Sequence, residues 1–265
     1  MRVHDDNGVR YLTFDRPDSR NAFTAEVARE LAAELESLDP GDLDAAVLTG
    51  EGQAFSAGGD IEAMAERDET PQQAADRVRE TVGRVAEQLL TSSVPIIAKV
   101  NGDAVGAGLS LVAAADFAYA ADSARFGATF INVGLVPDMG GSVTLPQLVG
   151  LRTAKDLVLT GRLIDAETAA ELDLVNETVP DDDLDDRVGD CIETLAAKPT
   201  ANIGLAKRAI HDNLGRSWSD GLEYEALTQS LAYGTPAHEE GVDAFLNRRT
   251  PSFDGSGRED SGQDN

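Results

Sequence analysis

One cysteine, Cys191, stands among 265 residues. Neither a disulfide framework nor a Cys-cluster metal centre can be built from it, because each needs several sulfurs at close spacing. No apolar run approaches the ~20 residues that cross a bilayer, and Met1-Arg2-Val3-His4-Asp5-Asp6 lacks the apolar stretch of a secretion signal. A soluble, cytoplasmic chain with no membrane partner is expected. Positive charge is also scarce: 22 basic against 48 acidic side chains leave a formal net charge of −26. Nucleic-acid affinity comes mainly from Lys and Arg displacing counterions, so a nucleic-acid role is disfavoured. Only Lys99, Lys155, Lys198 and Lys207 are lysines; the other basic residues are arginines. Self-repulsion at this charge works against a compact fold in dilute buffer, whereas at ~1 M salt the screening length falls to about 3 Å. A high-salt cytoplasm is the expected setting.

What is present is a chain long enough to bury roughly 70–75% of its unfolded surface. Val9-Arg10-Tyr11-Leu12-Thr13-Phe14 alternates apolar and polar residues, the pattern of a half-buried strand. Thr24 can cap a helix whose apolar stripe is Val27, Leu31, Leu35 and Leu38. The short apolar strand Ala45–Thr49 runs into a glycine-bearing stretch, Gly50 to Gly59. A second amphipathic helix is carried by Val78, Val82, Val85 and Leu89. The strand Ile96–Val100 then runs into a second such stretch, Gly102 to Gly108. Strands alternating with helices predict a βα architecture with parallel pairing. Gly106 to Ala115 is apolar almost all round and is expected to be a buried helix, with Ser110 its only polar side chain. Beyond Leu151 helices dominate: Leu184, Val188, Ile192 and Leu195 form one stripe, Val242, Phe245 and Leu246 another. One strand signal remains at Val175 to Val179. Cys191 falls on the first stripe and reads as core packing. Asp181-Asp182-Asp183, with Asp185 and Asp186, reads as a dipole-favoured helix start and not as a metal site.

A flexible backbone at two strand ends brings N–H groups that favour negative charge. The glycine spacing of Gly102-Asp103-Ala104-Val105-Gly106-Ala107-Gly108 is not G-x-G-x-x-G, which excludes a dinucleotide fingerprint. Three strings carry more: Phe55-Ser56-Ala57-Gly58-Gly59-Asp60-Ile61, Asn101-Gly102-Asp103-Ala104-Val105-Gly106-Ala107-Gly108 and Gly134-Leu135-Val136-Pro137-Asp138-Met139-Gly140-Gly141. In order and spacing they resemble the enoyl-CoA hydratase/isomerase (crotonase) superfamily, and the resemblance runs from about Val9 to Phe253.

The resemblance implies an α/β spiral of ββα units over residues 1–198 and a C-terminal helical trimerisation region over 199–251; the Gly-, Ser- and Asp-rich composition of 252–265 predicts a disordered tail. It implies an acyl-CoA substrate with no separate cofactor, and a homo-oligomer, trimer or dimer of trimers. The backbone N–H groups of Gly59 and Ala107 match the family's thioester oxyanion hole. Ala57, Arg16, Arg20, Arg248 and Arg249 match positions near CoA. Where hydratases of the family carry two glutamates, this chain has Ser110 and Phe130, expected to line the acyl pocket. Neither can activate water. The string Phe126 to Gly141 looks most like the epoxyphenylacetyl-CoA isomerase branch, where the residue matching Asp138 is the acid/base. An isomerase is therefore expected, shifting a C=C bond or rearranging a ring epoxide. A hydratase with a relocated base and an aryl-CoA dehalogenase using Asp138 as nucleophile stand as alternatives.

Overall fold

A computed structural model describes residues 1–253; the tail expected at 252–265 lies, past residue 253, outside the described residues. The chain opens with β1 (Arg2–Asp6), β2 (Val9–Phe14), α1 (Ala25–Glu36), β3 (Ala45–Gly50), β4 (Ala54–Ser56), α2 (Ile61–Ala65) and α3 (Pro71–Val78). A π-helical turn (Arg79–Gly83) leads into α4 (Arg84–Thr91), followed by β5 (Ile96–Val100), β6 (Asp103–Val105), α5 (Ala107–Ala114), β7 (Phe117–Ala121) and β8 (Arg125–Gly127). After a 3-10 turn (Thr129–Val133) come α6 (Gly141–Leu148), α7 (Gly150–Thr160), β9 (Ile164–Asp165), α8 (Ala166–Glu171) and β10 (Glu177–Val179). Four helices close the described chain: α9 (Leu184–Ala196), α10 (Thr200–Asn213), α11 (Trp218–Tyr233) and α12 (Pro236–Leu246).

Two sheets organise these elements, one of six strands in the order β1-β2-β3-β5-β7-β10 and one of four in the order β4-β6-β8-β9. β1 pairs antiparallel with β2 and β9 antiparallel with β8, and every other pairing is parallel. Each turn of the spiral places a long strand in the first sheet, a short one in the second and then helical chain: β3, β4, α2, then β5, β6, α5, then β7, β8 and the 3-10 turn. The second sheet therefore gathers successive strand ends into one place.

Side chains alternate across a strand, and β3 shows why its run is apolar throughout. Ala46 and Leu48 join the main core, while Ala45 and Val47 face a second cluster built with Val188, Cys191 and Leu195 of α9. Thr24 caps α1 as expected, its hydroxyl accepting from Val27 N at 3.2 Å. Every residue of α5 is buried, so this helix lies in the core. Between α10 and the sheet, Lys207 Nζ donates to Asp116 Oδ2 at 2.7 Å, and the same oxygen accepts from Ile96 N at 2.8 Å.

Two expectations need correction, and one strand carries no sequence signal. The helix expected around Val78 to Leu89 is broken by the π turn, and Val78 and Val82 line a cavity while Val85 and Leu89 are buried. Met1 to Asp6 contributes β1, an edge strand; its residues are exposed on both faces, so no burial pattern marks it. The stripe at Val242, Phe245 and Leu246 does not pack within this chain, for α12 buries Ala244 and leaves Phe245 84% exposed. Trp218, Leu222, Leu227 and Leu231 of α11 are likewise exposed. Among the described residues no helix is long and apolar enough to cross a membrane, and no group of three or more His, Cys, Asp or Glu is placed to hold a metal ion.

Candidate active site

Two loops meet where β4 and β6 end. Gly58 adopts φ +84°, and a Cβ there would lie 2.7 Å from Val105 O and 3.3 Å from Ala107 N. At Gly108 a Cβ would come within 2.6 Å of Ser56 O. Glycine at both positions is therefore a packing requirement, because side chains would push the loops apart. Gly106, at φ +54°, turns the chain into α5. Ala107 is the first residue of that helix, and a first-turn N–H has no intrahelical acceptor.

Phe23 grips the other loop from both sides. Its N–H donates to Gly58 O at 2.7 Å, and its carbonyl accepts from Asp60 N at 2.9 Å. The Gly59 N–H between them has no acceptor among the described residues. Further support comes from the Ser56 hydroxyl, which donates to Asn21 O at 2.8 Å and accepts from Gly58 N at 3.2 Å. Asp60 caps α2 by accepting from Ala63 N at 3.0 Å, and its second oxygen accepts from Arg16 Nη2 at 3.0 Å. These contacts, the Ala63 N–H first, hold the Asp60 carboxyl below the usual carboxylate range.

Gly59 and Ala107 both open on a cavity of about 890 Å³, and Ala57, Phe130 and Asp138 line it with them. Asp138 lies on the loop before α6, with Met139 at φ +50° and Gly140 at φ +81° turning the chain behind it. Its Oδ1 is buried without a hydrogen-bond partner. Burial pushes the Asp138 carboxyl above its ordinary pKa, opposed in part by its own backbone N–H and by the charge of Arg77.

The structure moves several expected site residues. Ser110 does not line the cavity: it is completely buried, and a Cβ on Gly141 would come within 2.3 Å of its hydroxyl. Its small side chain instead lets the start of α6, and with it the Asp138 loop, close over α5. None of the four arginines expected at CoA lines the cavity. Arg16 is engaged by Asp60 and by Ala22 O at 2.6 Å, so its guanidinium braces the Gly59 loop. Arg249 pairs with Glu240 and Asp243 inside the C-terminal segment. Arg20 meets Asp103 at 2.7 Å, as does Arg125, and both guanidiniums remain more than half exposed. Arg248 is exposed and makes no ion pair among the described residues.

Sequence reasoning misses the wall built from residues 61 to 82, where Met64, Arg67, Glu69, Arg77, Val78 and Val82 face the cavity. One local signal exists. Thr70 and Gln73 have the capping-box spacing and form the box, fixing where α3 begins, immediately after Glu69.

A carbonyl oxygen placed between Gly59 and Ala107 would meet two fixed dipoles as it gained charge, an arrangement able to serve an α/β enzyme that stabilises an oxyanion. Residues 4–256 match the family model for enoyl-CoA hydratase/isomerase, and the chain belongs to that family. It is 36% identical over 252 residues to a probable enoyl-CoA hydratase of Mycobacterium tuberculosis, covering 95% of this chain and 96% of the relative. To the 1,2-epoxyphenylacetyl-CoA isomerase of Escherichia coli it is 35% identical over 257 residues, covering 95% and 97%. The solved enoyl-CoA hydratase of Mycobacterium smegmatis superposes with a TM-score of 0.88 at 30% identity, over 95% of this chain and 98% of that one. The fold is thus the crotonase-like spiral expected.

Proposed function

We propose that the chain is an acyl-CoA isomerase in which Asp138 is the acid/base and the backbone N–H groups of Gly59 and Ala107 hold the thioester oxygen. The observation that carries this reading is the state of the carboxylates in the cavity. Glu69 is bound by Arg77 at 2.7 Å, whereas among the described residues Asp138 makes no ion pair and keeps a buried, unpartnered Oδ1. A buried carboxyl with a raised pKa suits proton transfer near neutral pH.

For a 3-enoyl thioester, Asp138 takes a proton from C2. The C–H electron pair then forms the dienolate, whose charge falls on the thioester oxygen. The same carboxyl returns the proton at C4, leaving the double bond between C2 and C3. In a ring-epoxide phenylacetyl thioester the same oxyanion support and acid/base would assist opening to the oxepin. Phe130 and the apolar wall exclude water that would otherwise compete. The CoA moiety is part of the substrate, and no separate cofactor is required; the exposed Arg20, Arg125 and Arg248 are candidate cations for its phosphates, with Arg67 on the cavity wall. The exposed apolar faces of α11 and α12 would be covered in a homotrimer or a dimer of trimers.

A hydratase is the second reading, favoured by the name that the Mycobacterium tuberculosis relative carries. Against it, Ser110 is fully buried away from the cavity and Phe130 exchanges no proton. The dehalogenase alternative is disfavoured because, among the described residues, no His or Trp lines the cavity and Trp218 is 90% exposed. Chromatography of 3-enoyl-CoA, 2-enoyl-CoA and epoxyphenylacetyl-CoA incubated side by side is the test. Isomeric thioester as the main product supports the proposal; fast formation of 3-hydroxyacyl-CoA refutes it.

A further inference from the structure

The wall of the cavity supplied by α3 carries a charged pair in an otherwise largely apolar lining. Arg77 donates to Glu69 through Nε at 3.1 and 3.0 Å and through Nη2 at 2.7 Å, and both residues face the cavity. Nη1 of Arg77 has no hydrogen-bond partner among the described residues. The pair is held from both ends. The capping box at Thr70 and Gln73 fixes the chain just after Glu69, while the buried Thr81 hydroxyl donates to Arg77 O at 2.7 Å inside the π turn. Both side chains are about three-quarters shielded from solvent.

An alkyl chain packed against this pair would strip water from the free Nη1 donors and offer no acceptor in return. Leaving a charged donor unsatisfied is costly. An oxygen on the acyl group would restore the bond. That oxygen should be neutral, because Glu69 already balances the Arg77 charge and an added carboxylate would meet Glu69 as a like charge. The remaining charged groups on the cavity wall are Arg67 and Asp138, which also balance.

We propose that the Arg77–Glu69 pair is the acyl-recognition element of this cavity and selects CoA thioesters bearing a neutral oxygen acceptor, such as an epoxide, hydroxyl or ketone, over all-hydrocarbon acyl chains. The inference rests on the reading above that the acyl group occupies this cavity. It does not rest on the reaction performed there.

Calorimetric binding to the full chain tests it with two unreactive probes, phenylacetyl-CoA and 2-hydroxyphenylacetyl-CoA. Wild type should bind the hydroxylated probe about tenfold more tightly, the scale expected for one hydrogen bond to a charged group. Arg77→Met should erase that preference while leaving phenylacetyl-CoA affinity within about threefold. Glu69→Gln frees the guanidinium and should raise affinity for glutaryl-CoA, whose acyl group ends in a carboxylate, by about tenfold. Equal affinity of wild type for the two phenylacetyl probes overturns the proposal. So does an equal loss for both probes in Arg77→Met, or no gain for glutaryl-CoA in Glu69→Gln. A wild type that shows the binding preference yet isomerises no thioester rejects the isomerase reading and leaves this proposal supported.

Discussion

Arg16 and Asp60 meet at 3.0 Å across 44 residues of chain, and their contact ties the turn after β2 to the loop that presents Gly59. Asp60 also caps α2, so one carboxylate fixes the position of Gly59, the proposed oxyanion donor beside it. This gives Arg16 a role distinct from gripping a CoA phosphate, and kinetics can separate the two. A brace acts on the geometry of the transition state, whereas a phosphate contact contributes uniform binding and appears in KM.

Arg16→Gln is accordingly expected to lower kcat by about tenfold to a hundredfold, the range that a misplacement of ~1 Å can cost, with KM for the thioester nearly unchanged. A rise in KM at constant kcat would return Arg16 to the CoA moiety. Because the Asp60 pKa is lowered, its stabilising contribution is complete above the ordinary carboxylate value and is lost as pH falls through the folded value. Acid melts of wild type should therefore lose this increment below about pH 4, and Asp60→Asn should show a smaller loss there.

Gly58→Ala tests the approach of the two loops. The added methyl would stand 2.7 Å from Val105 O, a backbone atom that cannot swing away, and φ +84° disfavours a side chain in any case. Moving Ala107 N from its place removes one oxyanion donor, which typically costs about a hundredfold to a thousandfold in kcat. Steady-state kinetics on a 3-enoyl-CoA would measure it, with retained binding of an unreactive thioester as the control for folding.

Asp138→Asn should separate activity from stability. With its pKa raised by burial, Asp138 favours folding when protonated; that contribution is complete below the unfolded value and is lost as pH rises through the folded one. At neutral pH the buried carboxylate is thus a cost. The Asn variant should lose isomerisation by about a thousandfold or more while melting higher than wild type at pH 7. The gain should vanish near pH 3. Wild-type kcat/KM should fall on acidification at a pH above the ordinary carboxylate value, because the raised group protonates early.

Much of this site is written in short strings. Gly58 and Gly108 are legible because a backbone that must approach another backbone leaves glycine behind, Gly106 because its positive φ favours glycine, and Asp138 because proline and paired glycines frame it. The strand and helix stripes of Val9–Phe14, Ala25–Glu36 and Leu184–Ala196 are equally plain, since burial imposes their period. What escapes has a common physical cause. Arg77 and Glu69 look like surface charges in sequence, and only the tertiary placement of their segment brings them to the cavity. Arg16 is ambiguous in sequence because a guanidinium near a phosphate site and one bracing a loop leave the same signature. Ser110 has the helix position expected of a pocket residue, but which face of α5 meets Gly141 is decided by tertiary packing.

Salt should act on this protein in the direction opposite to that expected from its ion pairs. Exposed pairs such as Arg84–Glu36 and Arg162–Asp156 weaken as salt screens them, yet each is worth only about 0–1 kcal/mol. The excess of 26 negative charges repels at all distances within a screening length. Repulsion outweighs the pairs, so screening is a net gain. Melting temperature in potassium chloride should therefore rise steadily between about 0.05 M and 1 M, where the screening length shrinks from roughly 14 Å to 3 Å, and then level off. A rise that continued undiminished into multimolar salt would point to altered surface hydration as the dominant effect, and a flat curve from dilute to molar salt would remove the case for a high-salt setting. Replacing a cluster of exposed acids, Asp181, Asp182 and Asp183, by asparagine should flatten the curve in proportion to the charge removed. Asp181 needs care in that design because it accepts from the Ser123 hydroxyl at 2.6 Å, so the variant limited to Asp182 and Asp183 isolates the charge from the hydrogen bond.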